Sequence, residues 1–72
     1  MRILKTRRGY FRGTHKGYTI EIERDRTSAD PDCKFYITVQ DARGCYAYDG
    51  WSPAGVDTIA QAKREALKGA CL

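Results

Sequence analysis

The feature that most constrains this chain is residues 34–49, which read as two strands joined by a tight turn. Phe35, Ile37 and Val39 alternate with Tyr36, Thr38 and Gln40, the two-residue period of a half-buried strand, and β-branched and aromatic side chains suit a pleated surface. Asp41-Ala42-Arg43-Gly44 follows, with Asp at the first position of a type I turn and a glycine able to take positive φ at the fourth, which closes a three-residue hairpin loop. A two-residue loop at Ala42 and Arg43 would demand positive φ at two non-glycine residues and is rejected. With Gly44 left-handed, the expected register sets Tyr46 opposite Gln40, Ala47 opposite Val39 and Tyr48 opposite Thr38. One face then carries Phe35, Ile37, Val39, Cys45 and Ala47, and the other carries Tyr36, Tyr46 and Tyr48.

Upstream, residues 18–23 alternate Tyr18, Ile20 and Ile22 with Thr19, Glu21 and Glu23, an amphipathic strand whose outer carboxylates share a face with the tyrosines. Residues 24–32 form a polar loop around Asp30-Pro31-Asp32, where the proline disfavours helical geometry at Asp30. Downstream, Thr58 with Gln61 three residues on is a capping box, and Asp57 adds negative charge at the positive end of the helix dipole. Ile59, Ala62, Ala66, Leu67 and Ala70 form the packing side of this helix, which ends near Gly69, while Gln61, Arg64, Glu65 and Lys68 face water. The expected fold is α+β, a three-stranded antiparallel sheet with one C-terminal helix packed on one face and a basic N-terminal arm. Residues 1–17 make the Gly/aromatic arm, and residues 18–72 make a single β-β-β-α domain. A chain of 72 residues supports one thin core, burying only about 60% of the surface of its unfolded form.

Charge is distributed unevenly. Residues 1–17 hold Arg2, Lys5, Arg7, Arg8, Arg12 and Lys16 and no acidic residue, while the remainder holds seven basic residues against all nine acidic ones. Such asymmetry points to a polyanion or an acidic protein surface as partner. Arginines beside Tyr10 and Phe11 can contact phosphates and stack on bases; an untidy terminal tail is the plainer reading of the same residues. On the sheet, Tyr36, Tyr46 and Tyr48 lie with Glu21 and Glu23, and a phosphate backbone laid there would meet two carboxylates, so this face reads as protein-binding. Trp51, in the glycine-bounded loop 50–55, has two readings, a lid over the core edge or a partner-binding anchor.

Several chemistries lack their residues. His15 is the only histidine and lies far along the chain from every cysteine, so no activated nucleophile is expected. The pairs Asp30/Asp32 and Glu21/Glu23 have no apolar wall beside them and read as solvated charges. No phosphate-cradling loop precedes a helix. Cys33, Cys45 and Cys71 have neither zinc-ligand spacing nor an even count, and are expected to be buried free thiols. The expectation is a non-enzymatic protein without cofactor or metal, placed in the cytoplasm because no membrane span or secretory leader is legible. Its partner would be a host protein or ribonucleoprotein complex, or nucleic acid through the arm, and the chain itself would be a monomer or homodimer.

Two resemblances add to this reading. Residues 18–23, residues 35–45, Asp49-Gly50 and Thr58-Ile59-Ala60-Gln61-Ala62-Lys63 resemble the β-β-β-α half of HicB-type antitoxins, in which a strand ending in Asp and Gly leads to a Thr-started, alanine-rich helix. That resemblance implies a toxin as partner. As a type, a small, charge-patterned domain with an open sheet is similar to the anti-CRISPR inhibitors of phages and mobile elements. This implies a stoichiometric protein-binding inhibitor that blocks a nucleic-acid-handling host complex.

Overall fold

A computed structural model of the chain describes residues 1–27 and 29–72; Ser28, in the expected polar loop, lies outside the described residues. Five antiparallel strands follow one another as a meander in the order β1-β2-β3-β4-β5. They are β1 (Arg2–Arg7), β2 (Tyr10–His15), β3 (Tyr18–Arg24), β4 (Phe35–Gln40) and β5 (Tyr46–Trp51), and one helix, α1 (Ile59–Gly69), ends the chain. The expected three-stranded sheet with a separate basic arm is therefore corrected. The arm is the first two strands of the same sheet, and the expected β-β-β-α segment is its continuation.

The arm becomes a hairpin because Gly9 and Gly17 fall at turns. Arg7 pairs with Tyr10 and His15 with Tyr18, so Arg8-Gly9 and Lys16-Gly17 are two-residue loops. Lys16 and Gly17 have φ of 52° and 83°, the doubly positive pair that matches the twist of a tight hairpin. Between the turns Tyr10, Arg12 and Thr14 alternate with Phe11 and Gly13. Gly13 occupies a core-facing position because the Phe11 ring lies across it: a Cβ there would sit 2.7 Å from Phe11 Cζ and 2.7 Å from the Arg2 carbonyl oxygen.

One face of the sheet is dry across β2, β3 and β4. Phe11, Ile20, Ile22, Phe35, Ile37 and Val39 from β2, β3 and β4 meet Ala62 and Ala66 of α1, with Val56 closing the approach to the helix. Each fully buried isoleucine or valine contributes roughly 1.5–3 kcal/mol, and the two buried alanines let the helix backbone approach closely. The helix start is as the sequence predicts: Thr58 Oγ1 accepts the Gln61 N–H at 3.1 Å, and Gln61 Oε1 accepts the Thr58 N–H at 3.0 Å and the Asp57 N–H at 2.7 Å. Lys63 lies with its ammonium 4.7 Å from the Phe11 ring centre, capping the core above β2.

The β4–β5 hairpin agrees with the expected turn and departs from the expected register. Gly44 has φ of 84°, its N–H donates to the Asp41 carbonyl, and the Asp41 carboxylate accepts from the N–H groups of Arg43 and Cys45. Tyr46 pairs with Gln40 as expected. The ladder then shifts, so that Tyr48 rather than Ala47 faces Val39, and Asp49 faces Thr38. Ala47 is the extra residue of a β-bulge. Its physical reason lies at Asp49: the regular register would have put that carboxylate opposite Ile37 inside the core. An unpaired buried charge costs several kcal/mol, against about 0.5–1.5 kcal/mol for one ladder hydrogen bond. Tyr48 consequently moves to the helix side, where it packs against the core cluster.

Ser52 extends the same hairpin. Its N–H donates to the Phe35 carbonyl and its buried Oγ accepts the Phe35 N–H at 3.2 Å. The thiols also depart from expectation, since Cys45 and Cys71 are exposed and Cys33 is half-buried. Cys45 sits in the hairpin loop and Cys71 beyond the helix, where no second layer covers them.

Candidate binding surfaces

Because α1 covers one face only, the other face of the sheet is an open platform whose side chains follow from the register. Directly paired residues point to the same side, and three rows cross the strands. The first is Arg7, Tyr10, Glu23, Tyr36 and Trp51; the second is Lys5, Arg12, Glu21, Thr38 and Asp49; the third is Arg2, Thr14, Thr19, Gln40 and Tyr46. The structure thus brings together nine of the residues singled out from the sequence: Arg2, Lys5, Arg7, Arg12, Glu21, Glu23, Tyr36, Tyr46 and Trp51. Three others are elsewhere. Tyr48 is on the helix side, Arg8 is in the β1–β2 turn, and Lys16 is in the β2–β3 turn at the opposite end of the sheet.

The platform is polarised along the strand order. Its cations are on β1 and β2, and its carboxylates are on β3 and β5. Contacts within it hold several groups in place. The Tyr10 hydroxyl donates to Glu21 Oε2 at 2.8 Å, and the Arg7 guanidinium lies 4.8 Å from the Tyr10 ring centre. The Tyr36 hydroxyl donates to Asp49, while the Tyr36 and Trp51 rings meet edge to face with centres 5.3 Å apart. Donation to a carboxylate holds the Tyr10 and Tyr36 hydroxyls protonated above the usual tyrosine range, with Glu21 and Asp49 as the respective leading causes. Trp51 is 37% exposed and Tyr46 56% exposed, so the edge formed by β4 and β5 presents aromatic surface to solvent. Of the two readings of Trp51, its position on the open face excludes the lid over the core.

A second feature lies at the end of the sheet where the β1–β2 turn, the β3–β4 loop and the start of α1 converge. It is an open cleft of about 570 Å³ lined by Arg7, Arg8, Arg24, Arg26, Phe35 and Thr58 among others. Arg24 N–H donates to the Gly9 carbonyl at 2.7 Å, which ties the turn to β3 and brings pairs of arginines distant in sequence to one place. Arg24 and Arg26 were not legible as site residues, since they read as the flank of a polar loop. Their only signal is the alternation Arg24-Asp25-Arg26 directly after a strand.

The candidate chemical groups do not converge. His15 ends β2 at one end of the sheet, whereas Asp30 and Asp32 lie in the β3–β4 loop at the other, separated by the length of β3, about 20 Å at 3.3 Å per residue. Asp30 and Asp32 are bound into the loop itself, with the Asp32 N–H donating to Asp30 Oδ1. Burial, and then the nearby Asp30 charge, push the Cys33 thiol up, away from a reactive thiolate. No helix among the described residues is long and apolar enough to cross a membrane. Comparison with protein-family models, with curated proteins and with solved structures gives no match for this chain.

Proposed function

We propose that the protein is a small non-enzymatic binding module, an inhibitor of the anti-CRISPR type, that docks its open sheet face on a nucleic-acid-handling complex. The observation that carries this reading is the polarisation of that face. Arg2, Lys5, Arg7 and Arg12 occupy one half, Glu21, Glu23 and Asp49 are set beyond them, and exposed aromatic side chains occupy the β5 edge. A nucleoprotein surface is its electrostatic complement, because a phosphate backbone there runs beside the basic protein that holds it. The cationic half meets phosphate and the carboxylates meet basic side chains. Tyr36 and Trp51 supply the rigid aromatic contact that interface hot spots favour.

The test is binding of the purified protein to a CRISPR effector loaded with its guide, to the same effector without nucleic acid, and to the nucleic acid alone. The loaded complex is expected to bind most tightly. Trp51→Ala and Arg12→Gln are each expected to weaken it by roughly tenfold, about 1.4 kcal/mol. Absence of binding to any loaded effector, with interference intact in cells, refutes the reading. A second reading is favoured by the gathering of four cations on adjacent strands, namely direct binding of nucleic acid by the β1–β2 half. It requires tight binding to nucleic acid alone, falling steeply with salt, and insensitivity to Trp51→Ala.

A further inference from the structure

The arginine-lined cleft is distinct from the centre of the open face, and its charges are unusual for an exposed end of a small domain. Its walls hold four guanidinium groups, Arg7, Arg8, Arg24 and Arg26, against two carboxylates, Glu23 and Asp57. Asp57 is already paired with Lys34, and this is the only ion pair among the described residues. Within the cleft wall the guanidinium groups therefore outnumber the carboxylates, one of which is already engaged. Gathering like charges raises the free energy of the folded state, a cost that an anion bound between them would offset.

Two of the four are also held in place. Arg7 lies over Tyr10, and Arg24 has its guanidinium 5.8 Å from the Phe35 ring centre. A cation–π contact of this kind restrains the side chain, which lowers the entropy lost on engaging an anion. Arg8 and Arg26, from the turn and the loop, flank the same space. Thr58 and Ile59 bring the positive end of the α1 dipole to the floor, although the capping box occupies the Asp57 and Thr58 N–H groups, so the arginines carry the recognition. The cleft volume, about 570 Å³, exceeds one phosphate and suits a ligand of nucleotide size.

We propose that this cleft is a binding site for a phosphorylated anion of nucleotide size, with adjacent phosphate groups gripped by Arg7, Arg8, Arg24 and Arg26. Phosphate is favoured over carboxylate because several guanidinium forks lining one cleft match an anion with several equivalent oxygens. The ligand is either a free polyphosphate or the phosphorylated end of a nucleic-acid strand, and both present the same chemistry.

The experiment titrates the full chain with inorganic pyrophosphate by calorimetry, and follows amide shifts of Arg8, Gly9, Arg26 and Thr58 by NMR. Saturable binding with shifts confined to this end is expected. The double variant Arg8→Gln/Arg26→Gln lies off the open face; it is expected to weaken binding by about tenfold or more without lowering the melting temperature. Arg43→Gln, in the β4–β5 turn at the other end of the sheet, is expected to leave binding unchanged. A short single strand with a 5′ phosphate, compared with the same strand ending in 5′ hydroxyl, identifies the source. A preference for the phosphorylated strand assigns a strand end, and pyrophosphate binding without that preference assigns a free polyphosphate. No saturable binding of pyrophosphate, or an equal loss in the Arg43→Gln control, overturns the proposal.

Discussion

Replacing Tyr48 with alanine tests the register on which every face assignment depends. In the bulged ladder Tyr48 is opposite Val39 and packs beneath α1, where its ring fills the space beside Gly69. Truncating a fully buried aromatic costs about 3–5 kcal/mol; Tyr48 is half-buried, so the expected loss is roughly half of that, about 1.5–2.5 kcal/mol. A domain of this size loses about 4–8 °C of melting temperature per kcal/mol, which places the Tyr48→Ala melt on the order of 10 °C below the parent. Tyr36→Ala removes the edge contact with Trp51 and the hydroxyl on Asp49, both on the open face, at about 0.5–1 kcal/mol. Tyr46→Ala, more exposed still, should stay within about 0.5 kcal/mol of the parent. Thermal melts followed by circular dichroism read all three variants. The reasoning fails if Tyr36→Ala or Tyr46→Ala melts below Tyr48→Ala, because the aromatic packing of the core would then lie on the other side of the sheet.

Gly69→Ala places opposing effects in one substitution: alanine is the better helix former by about 1 kcal/mol, yet its Cβ would stand 2.2 Å from Tyr48 Cε2. Net destabilisation is expected in the parent and relief in the Tyr48→Ala background, a coupling that a double-mutant cycle by chemical denaturation measures. Thr58→Ala removes the acceptor for the Gln61 N–H and should cost about 1 kcal/mol, with Thr58→Ser restoring most of it in the same assay. Alkaline pH should destabilise the fold. Burial, and secondarily the Glu65 charge, raise the Tyr48 hydroxyl above the usual tyrosine value, and carboxylate hydrogen bonds raise Tyr10 and Tyr36. With the folded pKa above the unfolded one, this stability is complete below pH of about 10 and is lost as pH rises through the folded values. Melts across that range, with Tyr48→Phe expected to blunt the loss, check it.

The parts of the fold legible in the sequence are those whose signal is local. The Asp41 to Gly44 turn and the Thr58/Gln61 cap are set by side chains within a few residues of the backbone groups they satisfy, and both form as the sequence predicts. The hairpin of β1 and β2 was hidden because Gly13 stands where an alternating strand should show an apolar side chain, and the Phe11 ring supplies that missing surface. The turn signal, a glycine at the second position of each two-residue loop, is present at Arg8-Gly9 and Lys16-Gly17, but without alternating apolar residues on both sides it does not by itself define a hairpin. The bulge at Ala47 was signalled by Asp49, whose charge cannot occupy the core-facing position that regular alternation assigned to it. The cleft was illegible for a different reason: Arg7 and Arg8 meet Arg24 and Arg26 only because β1, β2 and β3 form a meander, a topology that the reading of the arm as a tail removed.

The location of the two bulges bears on how this sheet can meet a partner. A partner strand adds to a sheet edge through an unbroken row of backbone groups. β1 is exposed along its whole length and is broken where Leu4 stands out of register with β2. β5 is broken at Ala47 and is followed closely by Pro53. Lys5 adds a charge to the β1 edge, so both edges carry devices that discourage strand addition. On the helix side α1 covers β3, β4 and β5, while Ile3 of β1 is exposed there. What remains continuous is the open face, whose three rows of paired side chains run across all five strands without interruption, and the arginine cleft at its end. In the proposed function, recognition therefore rests on side chains of a pre-formed surface, with the backbone ladder holding cationic, acidic and aromatic groups at fixed spacing.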